Sequence, residues 1–342
     1  EVGYNADLNQ DERVGELGQS NINSADITVN SSYLYSAGPV GRSDLYGPFD
    51  RFLDVFGLKL LAWPSVGGAE AVSNVFMEKT ARAVTLILDP SGIAIDKEAQ
   101  SNLISGLQDS TLGGPTVQRI GYGNGDNYNP SILDDSSGSN YSGLEQVNDT
   151  TRNTDYVWQF DDNAFDYSVD GAVSETLEHL LHTISQFGFP VAYPTALNST
   201  SPNGLLWEAM QEAIENGVFD DSQYAPMNDG SNEYHSLVMR EYVYLLTYAE
   251  WGYIEEFVDG GSLDPEWSDD SRTSDQVSIN NPLGHRLYTD YISKLISKPD
   301  EDILKEIFAP SASSGYFSGG EGNDVLEGGT RSSTIFGGDG ND

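Results

Sequence analysis

Two of the four histidines of the chain, His179 and His182, lie beside Glu175 and Glu178 in the stretch SETLEHLLHTISQFG, residues 174–188. On a helix, at about 100° per residue, both glutamates and His182 fall on one side, and His179 lies at its edge. The apolar residues share the opposite side, which must face a core: Val173, Leu177, Leu180, Leu181, Ile184 and Phe187. Glu178 and His182 are four residues apart, the spacing at which a helix presents paired metal ligands. The stretch therefore predicts a helix whose polar side either binds a metal or faces solvent.

A further carboxylate, Glu241, lies in a second predicted helix, SLVMREYVYLLTYAEWG, residues 236–252. The residues at −4, +3, +4 and +7 from it are apolar or aromatic: Leu237, Tyr244, Leu245 and Tyr248. A carboxylate on such a face costs several kcal/mol unless it is neutralised, paired or bound to a metal. Glu241 is therefore predicted to have a partner, which is a tyrosine hydroxyl, an arginine such as Arg82, a histidine or a metal ion.

Taken together, these two helices resemble those of the gluzincin metallopeptidases. In that family an H-E-x-x-H helix supplies two metal ligands and a base, and a later helix supplies a glutamate ligand. Residues 178–182 read E-H-L-L-H, so the first two positions of the motif are inverted. The resemblance implies Glu178, His182 and Glu241 as ligands of zinc or another divalent metal, with His179 in the place of the base. Glu175, on the same side of the helix, is the alternative base for a metallohydrolase. Two carboxylate ligands lower the net charge of the metal centre, and a centre of lower charge is less able to acidify a bound water.

The end of the chain carries a different motif, repeated every nine residues: GGEGNDVLE, GGTRSSTIF and GGDGND, residues 319–342. The first copy matches G-G-x-G-x-D-x-U-x in full. Glycines permit tight turns with bared carbonyl groups, the aspartate binds the cation, and the apolar residue begins a short strand. The motif resembles the RTX, or haemolysin-type, calcium-binding repeats, which form a parallel β-roll.

The middle copy departs from the repeat pattern at Arg331 and Ser333 and is expected to bind calcium poorly. In the β-roll of the family an ion lies between one loop and the loop two repeats later. The resemblance therefore implies calcium ligands in the first and third loops: Gly320, Gly322, Asp324, Gly338, Gly340 and Asp342. At least three repeats are normally needed to bury such a core, so we expect the repeats to continue beyond residue 342.

The composition favours calcium and argues against nucleic acids and anionic membranes as partners. The chain has 54 acidic and 16 basic residues, a net charge of −38, which disfavours nucleic acids and anionic membranes. Cysteine is absent, which excludes disulfides and thiolate metal sites. Since the chain has no apolar run of 18 residues and begins with glutamate, we expect neither a membrane-spanning helix nor a signal peptide.

The apolar spacing predicts a mainly α fold with long irregular loops and a few short strands, followed by the start of a C-terminal parallel β-roll. We expect an irregular leader over 1–43, a helical core domain over 44–310 with a long loop region at 109–170, and the calcium-binding roll over 311–342. Helices are predicted at 45–63, 69–89, 96–108, 172–188, 204–217, 232–258 and 283–297, with a final turn at 300–308 and a strand at 157–160.

Two functions fit these features. The first interpretation is a secreted, calcium-binding bacterial protein with a structural, adhesive or surface role, exported by type I secretion, whose partners are proteins, glycans or further copies of itself. The alternative is a secreted, peptidase-like metallohydrolase. They differ in whether the polar side of the 172–188 helix lines a covered metal site.

Overall fold

A computed structural model describes residues 41, 46–65, 70–123, 144–160, 168–199, 202–309, 316–318 and 334–336. The helices are numbered α1 (Asn74–Ile87), α2 (Lys97–Gln108), α3 (Leu144–Thr150), α4 (Val169–Phe187), α5 (Phe189–Ala192), α6 (Leu205–Glu215), α7 (Asn232–Trp251), α8 (Tyr253–Phe257), α9 (Ser274–Asn280), α10 (Pro282–Leu287), α11 (Ser293–Leu295) and α12 (Glu301–Phe308). The strands are β1 (Arg51–Val55), β2 (Leu58–Ala62), β3 (Val117–Gly123), β4 (Tyr156–Phe160), β5 (Tyr316–Ser318) and β6 (Thr334–Phe336). The fold is mainly helical, as the sequence predicts.

The chain divides into two compact units, and both are discontinuous in sequence. The first comprises Glu1–Ile87, Gln108–Thr176 and Pro299–Asp342, and the second comprises Leu88–Leu107 and Leu177–Lys298. Helix α4 begins in the first unit and ends in the second. The residues that gave the metal prediction, from Glu178 to Glu241, all belong to the second unit.

The first unit contains a four-stranded mixed sheet in the order β1-β2-β3-β4. β1 and β2 are antiparallel, whereas β2, β3 and β4 run parallel. Helix α1 packs against β1 and β2 and is buried along most of its length. Helix α12 packs on α1 through the rings of Phe76 and Phe308, whose centroids are 6.3 Å apart. This unit therefore combines a small sheet with helices.

The helix predicted at 45–63 is wrong, because these residues form the β1–β2 hairpin. In β1, buried residues alternate with half-buried ones, which is the period of a strand. Phe56 and Gly57, with φ of 52° and 83°, form the two-residue turn between the strands. Positive φ at both turn positions matches the right-handed twist of a hairpin. Strand β3, inside the region predicted to be loop, is also missed by the sequence pattern.

In the second unit, α7 is the central helix. Most of its residues are buried, and α6, α8, α9 and α10 all contact it. The side chain of Ser231 caps its first turn by accepting a hydrogen bond from the backbone N–H of Tyr234. The helix ends at Gly252, whose φ of 74° is the left-handed conformation that glycine adopts without strain. α7 therefore holds Glu241 in the middle of a buried, capped helix.

Most of the other sequence predictions agree with the structure. The helices predicted at 69–89, 96–108, 172–188, 204–217 and 232–258 correspond to α1, α2, α4, α6 and the pair α7–α8, and the strand at 157–160 is part of β4. The helix predicted at 283–297 is present as a continuous helical segment over 282–295, made of α10, a π-helical turn at Tyr288–Ile292, and α11. The final predicted turn is α12.

The leader over 1–43 lies outside the described residues except for Gly41, which forms a bridge with Phe52. The calcium-binding segment also lies outside them except for β5 and β6. These two strands pair in parallel, with Tyr316 opposite Thr334. No helix in the described part of the chain combines the length and the hydrophobicity that crossing a lipid bilayer requires.

Candidate metal centre

Helices α4 and α7 bring three potential metal ligands together within the second unit. Glu178 and His182 lie one turn apart on α4, and Glu241 lies at the middle of α7. One ligand atom from each lies within 4.8 Å of the other two. His182 Nε2 is 3.0 Å from Glu241 Oε2. Two atoms bound to one zinc ion at about 2.0–2.2 Å lie roughly 3–4 Å apart, so this distance suits a shared ion.

The centre is largely shielded from water. Only 1% of His182 and 8% of Glu241 is exposed, whereas Glu178 is half-buried. The polar side of α4 at His182 is therefore not a solvent-exposed helix face, which was the other interpretation of the sequence.

Glu241 has two partners of opposite or potentially opposite charge. Its Oε2 atom faces His182, and its Oε1 atom lies 3.5 Å from Nη2 of Arg240. Arg240 in turn donates through Nη1 to Oε1 of Gln186, at 3.1 Å. These contacts offset the charge of the buried carboxylate. One carboxylate oxygen, Oε1, faces Arg240, and the other, Oε2, faces His182. The partner predicted for Glu241 is therefore present, as a histidine and a neighbouring arginine.

Tyr244 on α7 packs against His182 on α4. Its ring meets the ring of His182 edge to face, with centroids 5.4 Å apart at 87°. Burial raises the pKa of Tyr244 well above its usual value, and the charge of Glu178 raises it further. The phenol therefore stays protonated.

A second polar pair, Tyr224 and Glu266, lies within electrostatic range of the centre. The Tyr224 hydroxyl donates a hydrogen bond to Glu266. Burial raises the pKa of both groups, and the negative charge of Glu241 raises each of them further. Glu266 is held in place by a short antiparallel bridge between Phe219 and Trp267 and by the Asp220 N–H, which donates to its carbonyl oxygen at 2.9 Å.

This pair could not be found from the sequence. Tyr224 lies in the 3₁₀ helix Ser222–Met227, and Glu266 lies in an irregular segment, so neither has a periodic pattern around it. Tyr244 and Arg240 were visible only as neighbours of Glu241 on α7, and nothing in their spacing showed which residues of α4 they contact.

The two predicted bases have different surroundings. His179 is half-buried, and its ring centroid lies 5.6 Å from that of His182, at an interplanar angle of 75°. Glu175 belongs to the first unit, where its Oε1 atom accepts a hydrogen bond from the Trp158 N–H at 3.1 Å. Glu175 is not part of the potential ligand group formed by Glu178, His182 and Glu241.

The remaining histidines lie elsewhere in the second unit. His285 Nδ1 is 2.9 Å from Oε1 of Glu250, which also accepts a hydrogen bond from Ser274 Oγ at 2.6 Å through its Oε2 atom. The ring of His235 packs against Trp207, with centroids 5.3 Å apart. Neither histidine belongs to the group of potential ligands around His182. The predicted calcium ligands lie outside the described residues: Gly320, Gly322, Asp324, Gly338, Gly340 and Asp342.

Comparison of the chain with protein-family models, with curated proteins and with solved structures finds no match in any of the three. Functional inference therefore depends on the centre itself and on the sequence motifs.

Proposed function

We propose that the second unit binds one divalent transition metal, with zinc as the best candidate, through Glu178, His182 and Glu241, and that the protein is a metal-dependent hydrolase. The observation that carries this proposal is the convergence of three ligand atoms within 4.8 Å of one another on two helices. One imidazole nitrogen and two carboxylate oxygens are a donor set that zinc accepts. Their two negative charges match the charge of a divalent ion.

Bound zinc would act as a Lewis acid and lower the pKa of a bound water. The residues of the chain have separate tasks around it. Arg240 lies against Oε1 of Glu241 and leaves Oε2 directed toward His182, which favours ligation through one oxygen. Because Arg240 is a cation, it also offsets part of the charge that a second carboxylate adds to the centre. This contact opposes the loss of Lewis acidity expected from a two-carboxylate ligand set.

Hydrolysis also needs a group that takes a proton from water and returns it to the leaving group. His179 stands where the gluzincin resemblance would place the base, and a neutral imidazole can serve in that role. Peptides are the substrate class that the resemblance suggests.

The proposal is tested by measuring peptide hydrolysis by the zinc-loaded protein on a mixed peptide library, with the His182→Ala variant as the control. We expect cleavage by the wild-type protein and loss of cleavage in the variant. Stoichiometric zinc without any cleavage would contradict the hydrolase and leave a zinc-binding protein.

We also propose that the C-terminal repeats bind calcium and that the protein acts outside the cell after type I secretion, in a structural, adhesive or surface role if the metal centre is not catalytic. The full nonapeptide match at residues 319–327 supports this second proposal. The parallel pairing of Tyr316 with Thr334 is a further support, because the offset, 334 − 316 = 18, equals two nine-residue repeats. Calcium titration of the full chain, followed by dichroism, tests it: a spectrum that does not respond to calcium would contradict it.

A further inference from the structure

Helices α4 and α7 are joined beside the metal centre by a ring of four polar side chains. Gln186 lies one turn after His182 on α4, and Arg240 precedes Glu241 on α7. Three contacts close the ring: His182 Nε2 to Glu241 Oε2 at 3.0 Å, Glu241 Oε1 to Arg240 Nη2 at 3.5 Å, and Arg240 Nη1 to Gln186 Oε1 at 3.1 Å. The two oxygens of Glu241 therefore have different neighbours, an imidazole and a guanidinium.

Gln186 accounts for the direction of the Arg240 side chain. Consecutive residues of a helix project about 100° apart, so spacing alone does not place Arg240 against Glu241. The hydrogen bond to Oε1 of Gln186 draws the guanidinium toward α4, and its other terminal nitrogen lies beside Glu241. The side chains of Arg240 and Glu241 are each only 11% exposed. Weak screening by water strengthens the attraction between them, so the guanidinium is held against Oε1.

A carboxylate oxygen that is paired with arginine is less available to a metal ion. Glu241 then offers an ion Oε2 alone, which keeps the number of ligand atoms small. Zinc accepts a small tetrahedral set that includes nitrogen, whereas calcium takes a larger set of oxygens and often binds both oxygens of one carboxylate. The positive charge of Arg240 also reduces the net negative charge of the centre, and calcium affinity depends on the charge of the ligands. Both effects favour zinc over calcium.

We propose that Arg240, positioned by Gln186, makes the centre select zinc over calcium by restricting Glu241 to one ligand oxygen. Selection matters in this chain, because carboxylates also suit calcium and the C-terminal repeats are proposed to bind calcium. The inference rests on the proposed metal centre. It goes beyond that proposal by assigning the choice of metal to two residues that do not bind the metal themselves.

Two variants break the ring without touching a ligand. Gln186→Leu removes the acceptor of Arg240 at similar side-chain volume, and Arg240→Met removes the guanidinium itself. The matched control is Gln276→Leu. Gln276 is also half-buried, and its Oε1 atom accepts a hydrogen bond from the Thr273 N–H at 3.1 Å, at the start of α9. The control therefore loses a side-chain hydrogen bond outside the ring.

The experiment follows the visible absorption of cobalt, which replaces zinc in the centre. This absorption is strong in a tetrahedral site and weak in sites of higher coordination, so it reports the number of ligand atoms. The full-length wild-type protein and each variant are loaded with equimolar cobalt and titrated with calcium while the band is recorded. Because the band comes from cobalt alone, calcium bound elsewhere in the chain does not contribute to it.

We expect a weaker cobalt band in Gln186→Leu and Arg240→Met than in the wild-type protein. Calcium should displace cobalt from both variants at concentrations at least about tenfold lower than from the wild type. The double variant should behave like either single variant, since both substitutions act through the same guanidinium. Gln276→Leu should match the wild type in band intensity and in resistance to calcium.

A Gln186→Leu variant with the band intensity and calcium resistance of the wild type would overturn the proposed selection while leaving the metal centre intact. Equal losses in Gln276→Leu would overturn it too, because the effect would then not belong to the ring. If Gln186→Leu does not fold, Arg240→Met carries the test alone, and wild-type behaviour of that variant refutes the proposal. A wild-type protein that binds no cobalt would overturn the metal centre itself, and the selection with it.

Discussion

Replacing Asn281 with alanine should destabilise the second unit strongly, because this side chain joins three segments in the interior. Asn281 is completely buried. Its Oδ1 atom accepts the hydroxyl proton of Tyr242 on α7, and its Nδ2 atom donates to the Ala209 carbonyl oxygen at 3.0 Å and to Glu212 Oε2 at 2.9 Å on α6. The Asn281→Ala variant loses all three bonds at once.

The expected magnitude follows from the hydrogen bonds that each partner of Asn281 loses or keeps in the variant. The Tyr242 hydroxyl is left buried without its acceptor, which costs about 1–3 kcal/mol. The bond to the Ala209 carbonyl is worth about 1 kcal/mol. Glu212 Oε2 still accepts a hydrogen bond from the Leu283 N–H at 2.7 Å, so only part of the hydrogen bonding of Glu212 is lost. Together these losses predict that the free energy of unfolding falls by about 2–4 kcal/mol, although neighbouring losses are not strictly additive.

The measurement is urea unfolding of Asn281→Ala, with Asn216→Ala as the matched control. Asn216 is exposed, and its Nδ2 atom makes one hydrogen bond, to the Asn280 carbonyl oxygen at 2.9 Å. The control should lose less than about 1 kcal/mol. A fall of less than about 1 kcal/mol in Asn281→Ala, at an unchanged slope with urea, would refute the idea that this network stabilises the unit.

Three further predictions concern charge and calcium. Burial raises the pKa of Glu266 in the folded state, so its contribution to stability is present at low pH and is lost as pH rises through the raised pKa. In the metal-free protein, Glu266→Gln should therefore be more stable than the wild type at alkaline pH and equal to it below about pH 4; unfolding curves that differ by the same amount at every pH would contradict this. Calcium removal should make the C-terminal repeats sensitive to protease while the helical dichroism persists, and a segment that resists protease in excess chelator would count against calcium-dependent folding. Asp324→Ala should weaken calcium binding far more than Ser333→Ala in a calcium titration, and equal effects would show that the first and third loops do not share an ion.

The three proposed ligands were accessible from sequence because helical geometry relates spacing directly to direction. Glu178 and His182 had to lie on one side of α4, and Glu241 was identified by the apolar residues around it. The packing that brings the three groups together is tertiary structure, and a local sequence pattern does not predict it. The contacts of Tyr224 with Glu266 belong to the same class, because 42 residues separate the two positions.

The β1–β2 hairpin shows why a local pattern can favour the wrong element. Residues 51–62 are rich in apolar side chains, so spacings of two, three and four all occur. The decisive feature is the turn at Phe56 and Gly57, where both residues have positive φ. A phenylalanine at the first turn position is unusual for this turn type, which favours asparagine, aspartate or glycine. Only Gly57, at the second turn position, carries the turn signal, and the sequence pattern alone did not reveal the hairpin.

The metal content of the purified full-length protein tests the central claim most directly. After exposure to zinc and dialysis against buffer, elemental analysis should find one zinc per chain in the wild-type protein. Glu241→Gln should lose most of that zinc, because an amide oxygen is a much poorer ligand than a carboxylate. The contradicting result is a wild-type protein without zinc or any other transition metal, or a Glu241→Gln variant that retains the full equivalent; Glu241 would then be only a buried acid paired with His182 and Arg240.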